Sequence, residues 1–163
     1  MRMPYIKMVY PSPKREIDLT GKKEAETEMI RRAVTGGTPT IESRFEATVA
    51  AHYVLKEAVK ATEEGVEFDG VQIGCIGDAG AEELRELLDV PVLGPLRTAI
   101  HLASMLAHKF SIVTVNEHIL PQQRDLVYRY GFGDKLASIR HINSTVKELH
   151  EHMGEPHLTE KFC

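Results

Sequence analysis

A chain of 163 residues suits one domain or two small lobes, and at that length roughly 70% of the unfolded surface can be buried without a disulfide or metal staple. Hydrophobic residues at 42% and charged residues at 27% exclude a mainly disordered chain. The 24 acidic and 20 basic residues give a net charge of −4 and are scattered, so no footprint for nucleic acid is expected; the apolar runs are too short to cross a bilayer, and the start MRMPYIKMVYPSPKRE lacks the features of a signal peptide. The expected compartment is the cytoplasm, and there the two cysteines, Cys75 and Cys163, are expected to be thiols.

In chain order, Tyr5 to Tyr10 reads as a buried strand ending in a Pro-Ser-Pro turn, and the spacing of Ala25, Met29, Ile30 and Ala33 predicts a helix from Thr20 to Val34. After Gly36-Gly37, the segment TPTI predicts a second strand, and Glu46 to Glu64 carries a long helical pattern stopped by Gly65. Gly70 to Ile76 predicts a third strand. It runs into Gly77-Asp78-Ala79-Gly80 and the helix AEELRELL, with Asp78 as candidate N-cap. A short strand at Val90 to Leu93, a helix from Arg97 to Ala107, a strand from Phe110 to Val115 and a helix from Ile119 to Tyr130 follow. The alternation ends with LASIRHI, a helix from Thr145 to Met153 and a polar tail, GEPHLTEKFC. Such alternation implies parallel strands joined by crossovers, a sheet covered on both faces, and a ligand at the strands' carboxyl ends.

Three polar turns fall at those ends: Tyr10-Pro11-Ser12, Cys75-Ile76-Gly77-Asp78 and Thr114-Val115-Asn116. The glycines after Cys75 permit close approach of a bound group, and the amides opening the next helix would favour an anion and lower the thiol pKa. On spacing alone, a buried strand cysteine is the commoner outcome, and Ser12 and Thr114 serve equally well as caps or loop ties. The turn CIGDAG supplies neither a dinucleotide nor a phosphate-loop motif. His141, His150, His152 and His157 are expected on a solvated surface, because a His-x-His pair on a helix does not share a face.

The segment GCIGDAGAEELRELLDVPVLG, from Gly74 to Gly94, resembles the aspartate/glutamate/hydantoin racemase superfamily, and within it the hydantoin racemase branch. The likeness extends back through GTPTIESRFEATVAAHYVL and forward through LASMLAHKFSIVTV, covering about Gly36 to Tyr130. It implies a three-layer αβα architecture with a mainly parallel, flavodoxin-like sheet, a first lobe over residues 1–95 and an incomplete second lobe with tail over 96–163. It further implies racemisation or epimerisation at the α-carbon of an amino acid or a 5-substituted hydantoin, with no metal or other cofactor. In that chemistry one thiolate removes the α-proton and an opposite thiol returns a proton to the other face. By the same resemblance Cys75 is the first-lobe acid/base, Ile76, Gly77 and Asp78 form the turn that holds the substrate with it, Ser12 falls in the turn after the first strand, and Thr114 and Val115 fall where the substrate's acidic group is held.

The sequence departs from the family at Tyr10-Pro11-Ser12-Pro13, where an Asn-Pro-Asn type of turn is usual. It also departs at Cys163, which has no strand before it and no turn after it and is given no role as second base. Three origins are compatible with that: a truncated chain, a half-protein that completes its site by homo-oligomerising, or a descendant that binds a carboxylate ligand without turnover. Uncovered apolar sheet surface makes self-association or marginal stability the expectation. A single-cysteine decarboxylase of the same superfamily fits worst, because its working cysteine lies in the second lobe.

Overall fold

The structure, a computed structural model, describes residues 5–10 and 28–151. Four strands, β1 (Tyr5–Tyr10), β2 (Glu28–Ala33), β3 (Gly70–Ile73) and β4 (Val92–Leu93), form one sheet in the order β2-β1-β3-β4. A second sheet pairs β5 (Phe110–Thr114) with β6 (Leu136–His141), and every pairing in both sheets is parallel. Among the described residues five α-helices accompany them: α1 (Arg44–Glu63), α2 (Ala81–Leu87), α3 (Pro95–Leu106), α4 (Leu120–Arg129) and α5 (Val146–Glu151).

Helix α1 begins two residues earlier than its apolar pattern suggests because Ser43 caps it. The Glu46 amide donates to Ser43 Oγ at 3.3 Å, and the Glu46 carboxylate accepts from Ser43 Oγ at 2.9 Å and from the Glu42 amide at 2.7 Å. Its buried face, Ala47, Ala50, Val54, Ala58 and Ala61, follows the three-four spacing of a helix. Gly65, at φ 70°, ends it, with the Val66 amide reaching back to the Ala61 carbonyl at 3.0 Å. Helix α5 opens with a reciprocal cap: the Glu148 amide donates to Thr145 Oγ1 at 3.0 Å, and the Thr145 amide donates to the Glu148 carboxylate at 2.8 Å.

Two sequence expectations are corrected. The Thr20 to Val34 pattern does not give a helix over its described part, since Glu28–Ala33 is β2, in register with β1 through pairs such as Ile6 and Met29. Six residues with apolar positions 29, 30 and 33 fit either period, and the backbone of β1 decides. The TPTI segment is not a strand. Pro39 has no N–H for a ladder, Gly37 sits at φ 104°, and Ile41 is buried against Ala47 and Ala50 instead. The expected helix over 20–27 and the tail after 151 lie outside the described residues.

The core of the four-stranded sheet gathers Val34, Val54, Ala58, Val71, Ile73, Ala81, Leu84 and Val92. A smaller cluster, Ile41, Ala47, Ala50 and Ala79, sits beside it, and Cys75 packs against both. Around β5, Leu96, Ile100 and Leu126 form a separate core with Phe110, Ile112, Tyr130 and Phe132 at its margin. Among the described residues no helix is long and apolar enough to cross a membrane.

Candidate active site

In the order β2-β1-β3-β4 the chain runs outward in opposite directions from β1 and β3, so the crevice at their carboxyl ends is where an open parallel sheet receives a ligand. Cys75 lies two residues beyond the end of β3, at that crevice. The chain then turns sharply: the Asp78 amide donates to the Cys75 carbonyl at 3.0 Å, and the Gly77 amide donates to Cys75 Sγ at 3.4 Å. Asp78, at φ 50°, and Gly80, at φ 80°, both take left-handed backbone to complete the turn into α2.

The thiol departs from the sequence expectation. Burial pushes the Cys75 thiol up to about 11, the Gly77 amide opposes this, and the nearby Asp78 carboxylate adds to it. The amides of α2 do not depress it, because the helix starts only at Ala81, whose own amide is taken by the Asp78 carbonyl at 3.0 Å. Asp78 is likewise not the N-cap of α2; that position is Gly80, which has no side chain to offer.

Asp78 instead points away from α2. Its Oδ1 accepts from the Leu96 amide at 2.8 Å and its Oδ2 from the Arg97 amide at 2.9 Å, both in the first turn of α3, and Oδ2 also accepts from the Tyr130 hydroxyl at 3.0 Å. Burial raises the Asp78 carboxyl above its ordinary value against these donors, and burial together with the Asp78 charge raises the Tyr130 phenol, which therefore stays a donor.

Ile76, at the tip of the turn, is 45% exposed, whereas Gly77 is buried; a Cβ there would meet Gln122 Nε2 at 3.3 Å and Cys75 Sγ at 3.6 Å. Thr114, at the end of β5, is buried with its Oγ1 accepting from Gln123 Nε2 at 3.1 Å, and the carbonyls of Thr114 and Val115 accept from the Ile142 and Ser144 amides. Adjacent residues of α4 thus lie at both places, Gln122 beside the cysteine turn and Gln123 bonded to the end of β5. Ser12 lies outside the described residues, as does Cys163. Among the described residues no group of three or more His, Cys, Asp or Glu is placed to hold a metal ion.

Sequence reasoning missed Glu42, Gly94, Gln122 and Tyr130. Glu42 accepts from Asn116 Nδ2 and from the Val146 amide, each at 3.0 Å, joining the start of α1 to the ends of the β5 loop and α5. Its only local signal was its place before the Ser43 cap. Glu42→Gln is expected to lower the unfolding free energy by about 1–3 kcal/mol, measured by urea titration, because it weakens two charge-assisted bonds. A cleft of about 270 Å³ opens behind the turn, lined in part by Arg44, Thr48, Gly77, Gln122 and Arg129, with an Arg44–Asp125 ion pair at its edge; Cys75 does not line it.

A parallel sheet with a polar turn at its switch point is an arrangement in which α/β proteins receive ligands, and comparison gives the family. The family model for Asp/Glu/Hydantoin racemase matches residues 19–162, and the chain belongs to that family. It is 37% identical over 116 residues to the hydantoin racemase of Pseudomonas sp. (strain NS671), and 35% identical over 115 residues to that of Paenarthrobacter aurescens. Each match covers 71% of this chain but 46% and 48% of those proteins, so the chain spans about half the length of the relatives it matches. The allantoin racemase of Klebsiella pneumoniae superposes with a TM-score of 0.81 at 30% identity, over 98% of this chain and 66% of that one. Allantoin racemase from Pseudomonas fluorescens gives 0.85 at 27% identity, over 97% and 68%. The fold is flavodoxin-like α/β with an incomplete second lobe, as the resemblance implied.

Proposed function

We propose that the chain carries one half of a cofactor-independent racemase or epimerase site that moves the α-proton of a 5-substituted hydantoin, a related cyclic ureide or an amino acid. The observation that carries this reading is the place of Cys75, on a glycine turn at the carboxyl end of β3, beside the β1/β3 switch point, with an amide on its sulfur. The relatives are named as racemases of hydantoin and allantoin, ring compounds whose α-hydrogen lies beside a carbonyl that stabilises the carbanion.

Cys75 is one acid/base. With a pKa near 11 the resting thiol is protonated at neutral pH, so it is poised to deliver a proton to a carbanion-like carbon and, in the reverse direction, to receive one as thiolate. Amides of Ile76 and Gly77, together with the ends of the first and fifth strands at Ser12, Thr114 and Val115, are our candidates for holding the substrate's carbonyl or carboxylate. Inversion needs a second group on the opposite face, and Cys75 is the free cysteine among the described residues. The division into lobes falls near residue 95 in this reading, supported by the separate cores around β3 and β5. The same reading places the protein in the cytoplasm as a homo-oligomer. Met105, 81% exposed, Leu106, 87% exposed, and Val113, 68% exposed, support self-association.

The test is incubation of the protein in D₂O with single enantiomers of 5-substituted hydantoins, allantoin, aspartate and glutamate, following optical rotation and α-deuterium by NMR. Uptake of α-deuterium is the expected result; racemisation with it would mean that a second group completes the site, and uptake with retention that Cys75 works alone. A second reading, a silent binder of the same ligands, is favoured by Cys75 being the free cysteine among the described residues, with no second thiol among them. It predicts ligand-induced shifts with neither deuterium nor rotation change, and that outcome would overturn the enzymatic reading.

A further inference from the structure

The sharpest feature outside the thiol itself is that the cysteine turn is fastened to the second sheet's helices by one side chain. Three residues after Cys75, the Asp78 carboxylate is buried and takes three donors, two from the first turn of α3 and one from Tyr130, the C-cap just after α4. The same residue closes the turn through its amide on the Cys75 carbonyl and holds a left-handed φ of 50°. That conformation is costly for a non-glycine residue unless its surroundings fix it.

Gly94 shows that the space is shaped for this carboxylate. Its backbone, at φ −90° and ψ 128°, would suit any residue. A Cβ there would nevertheless lie 2.5 Å from Asp78 Cγ and 2.7 Å from each carboxylate oxygen. Glycine is needed to let the carboxylate reach the amides of α3. Around the contact, Arg97 donates to Glu82 at 2.9 Å and lies 5.2 Å from the centre of the Tyr130 ring, and Arg85 also pairs with Glu82. The charged and titratable groups facing Asp78 are therefore Cys75, Glu82, Arg85, Arg97 and Tyr130.

We infer that Asp78 is a positioning residue: an interlobe clamp, seated on Gly94, that sets the place of the Cys75 thiol by tying its turn to α3 and Tyr130. The inference rests on Cys75 being the acid/base, and it assigns Asp78 to holding that group in place rather than to contact with substrate. Its three acceptor contacts are all made inside the protein, so substrate would have to displace an existing partner to reach it.

Three variants test it. Asp78→Asn removes the charge and one acceptor oxygen; Gly94→Ala keeps the charge and displaces the carboxylate; Tyr130→Phe removes one donor alone. The first readout, independent of turnover, is the rate at which iodoacetamide alkylates Cys75 as a function of pH, with Cys163→Ser as the common background and circular dichroism to monitor the fold. Asp78→Asn and Gly94→Ala are each expected to speed alkylation at pH 8 about tenfold, and Tyr130→Phe about threefold, as the released turn lets water reach the sulfur. The second readout is α-deuterium exchange, in which a misplaced thiol is expected to lower kcat about 10 to 100-fold with KM within about threefold.

An unchanged alkylation profile in Gly94→Ala, with the fold intact, overturns the clamp, because loss of the Asp78 charge beside the thiol would then account for any effect of Asp78→Asn. A rise in KM with unchanged kcat also overturns it and returns Asp78 to substrate binding. Should Asp78→Asn or Gly94→Ala fail to fold, Tyr130→Phe decides by the same alkylation profile, and no change there overturns the proposal. If the parent chain exchanges no α-proton on any substrate, the racemase reading falls, while alkylation still decides whether Asp78 positions the thiol.

Discussion

Cys75→Ala is expected to lower α-proton exchange by about 10²- to 10⁴-fold, to the level of the solvent-catalysed reaction, in the D₂O assay on whichever hydantoin or ureide the parent chain accepts. Cys75 is the free cysteine among the described residues and stands at the carboxyl end of β3, and the amide on its sulfur has no proton-transfer role of its own. The parent's own reactivity should follow the thiol's ionisation. At pH 8, a pKa near 11 leaves about 100-fold less thiolate than the ordinary value of 9.0 would, and alkylation should rise about tenfold per pH unit until near pH 11. A rate that levels off near pH 9 would contradict the desolvated setting.

The same shift makes stability pH-dependent, and its sign is fixed. The folded state holds the proton more tightly than the unfolded chain, so this contribution is fully present below about pH 9 and is lost as pH rises through about 11. The total loss is about 2–3 kcal/mol, measurable as a falling urea midpoint across that window, and Cys75→Ala should remove this part of the slope.

Leu84→Ala is expected to cost about 3–5 kcal/mol and to lower the melting temperature by about 10 °C, read by urea titration and a thermal scan. Leu84 is fully buried in the cluster with Val54, Val71, Ile73 and Val92, and the backbone of α2 is fixed at both ends, by the cysteine turn and by the run into β4. A cavity there cannot close by a shift of the helix, which puts the cost toward the upper part of the usual range. The control lies one turn along the same helix: Leu87 is 57% exposed, and Leu87→Ala should fall within about 0.5 kcal/mol of the parent.

The contrast between Cys75 and Asp78 shows how far the sequence could be read. The site of Cys75 was visible because a short strand pattern, Gly70–Ile73, then a glycine, then a polar turn and an amphipathic run can be arranged in few ways, and a parallel sheet puts such a turn at its ligand-binding end. Asp78 was visible as a polar residue in that turn, but its partners are 18, 19 and 52 residues away. Local rules favour a cap on the helix that follows, and the positive φ turned the side chain elsewhere. Gly94 carried no local signal between the short strand and the helix after it, because its reason is the carboxylate lying against it. The strand at Glu28–Ala33 was misread because six residues carry too little periodicity to separate the two regular structures, and only pairing to β1 resolves them. Long elements with their own caps, α1 above all, were nearly independent of such context.

The placement of β1 also governs the order in which the chain can acquire its structure. It is an interior strand whose partner on one side begins at Glu28 and on the other only at Gly70, 64 positions after its mate Ile6. A ribosome therefore releases β1 long before its second neighbour exists, and the strand must wait, exposed along one edge, while more than a third of the chain is still being made. Pairings this distant raise the contact order and slow the search for the native sheet. During that interval an unpaired strand edge is open to the wrong partner, which makes the late closure of this sheet a point of exposure to misassembly.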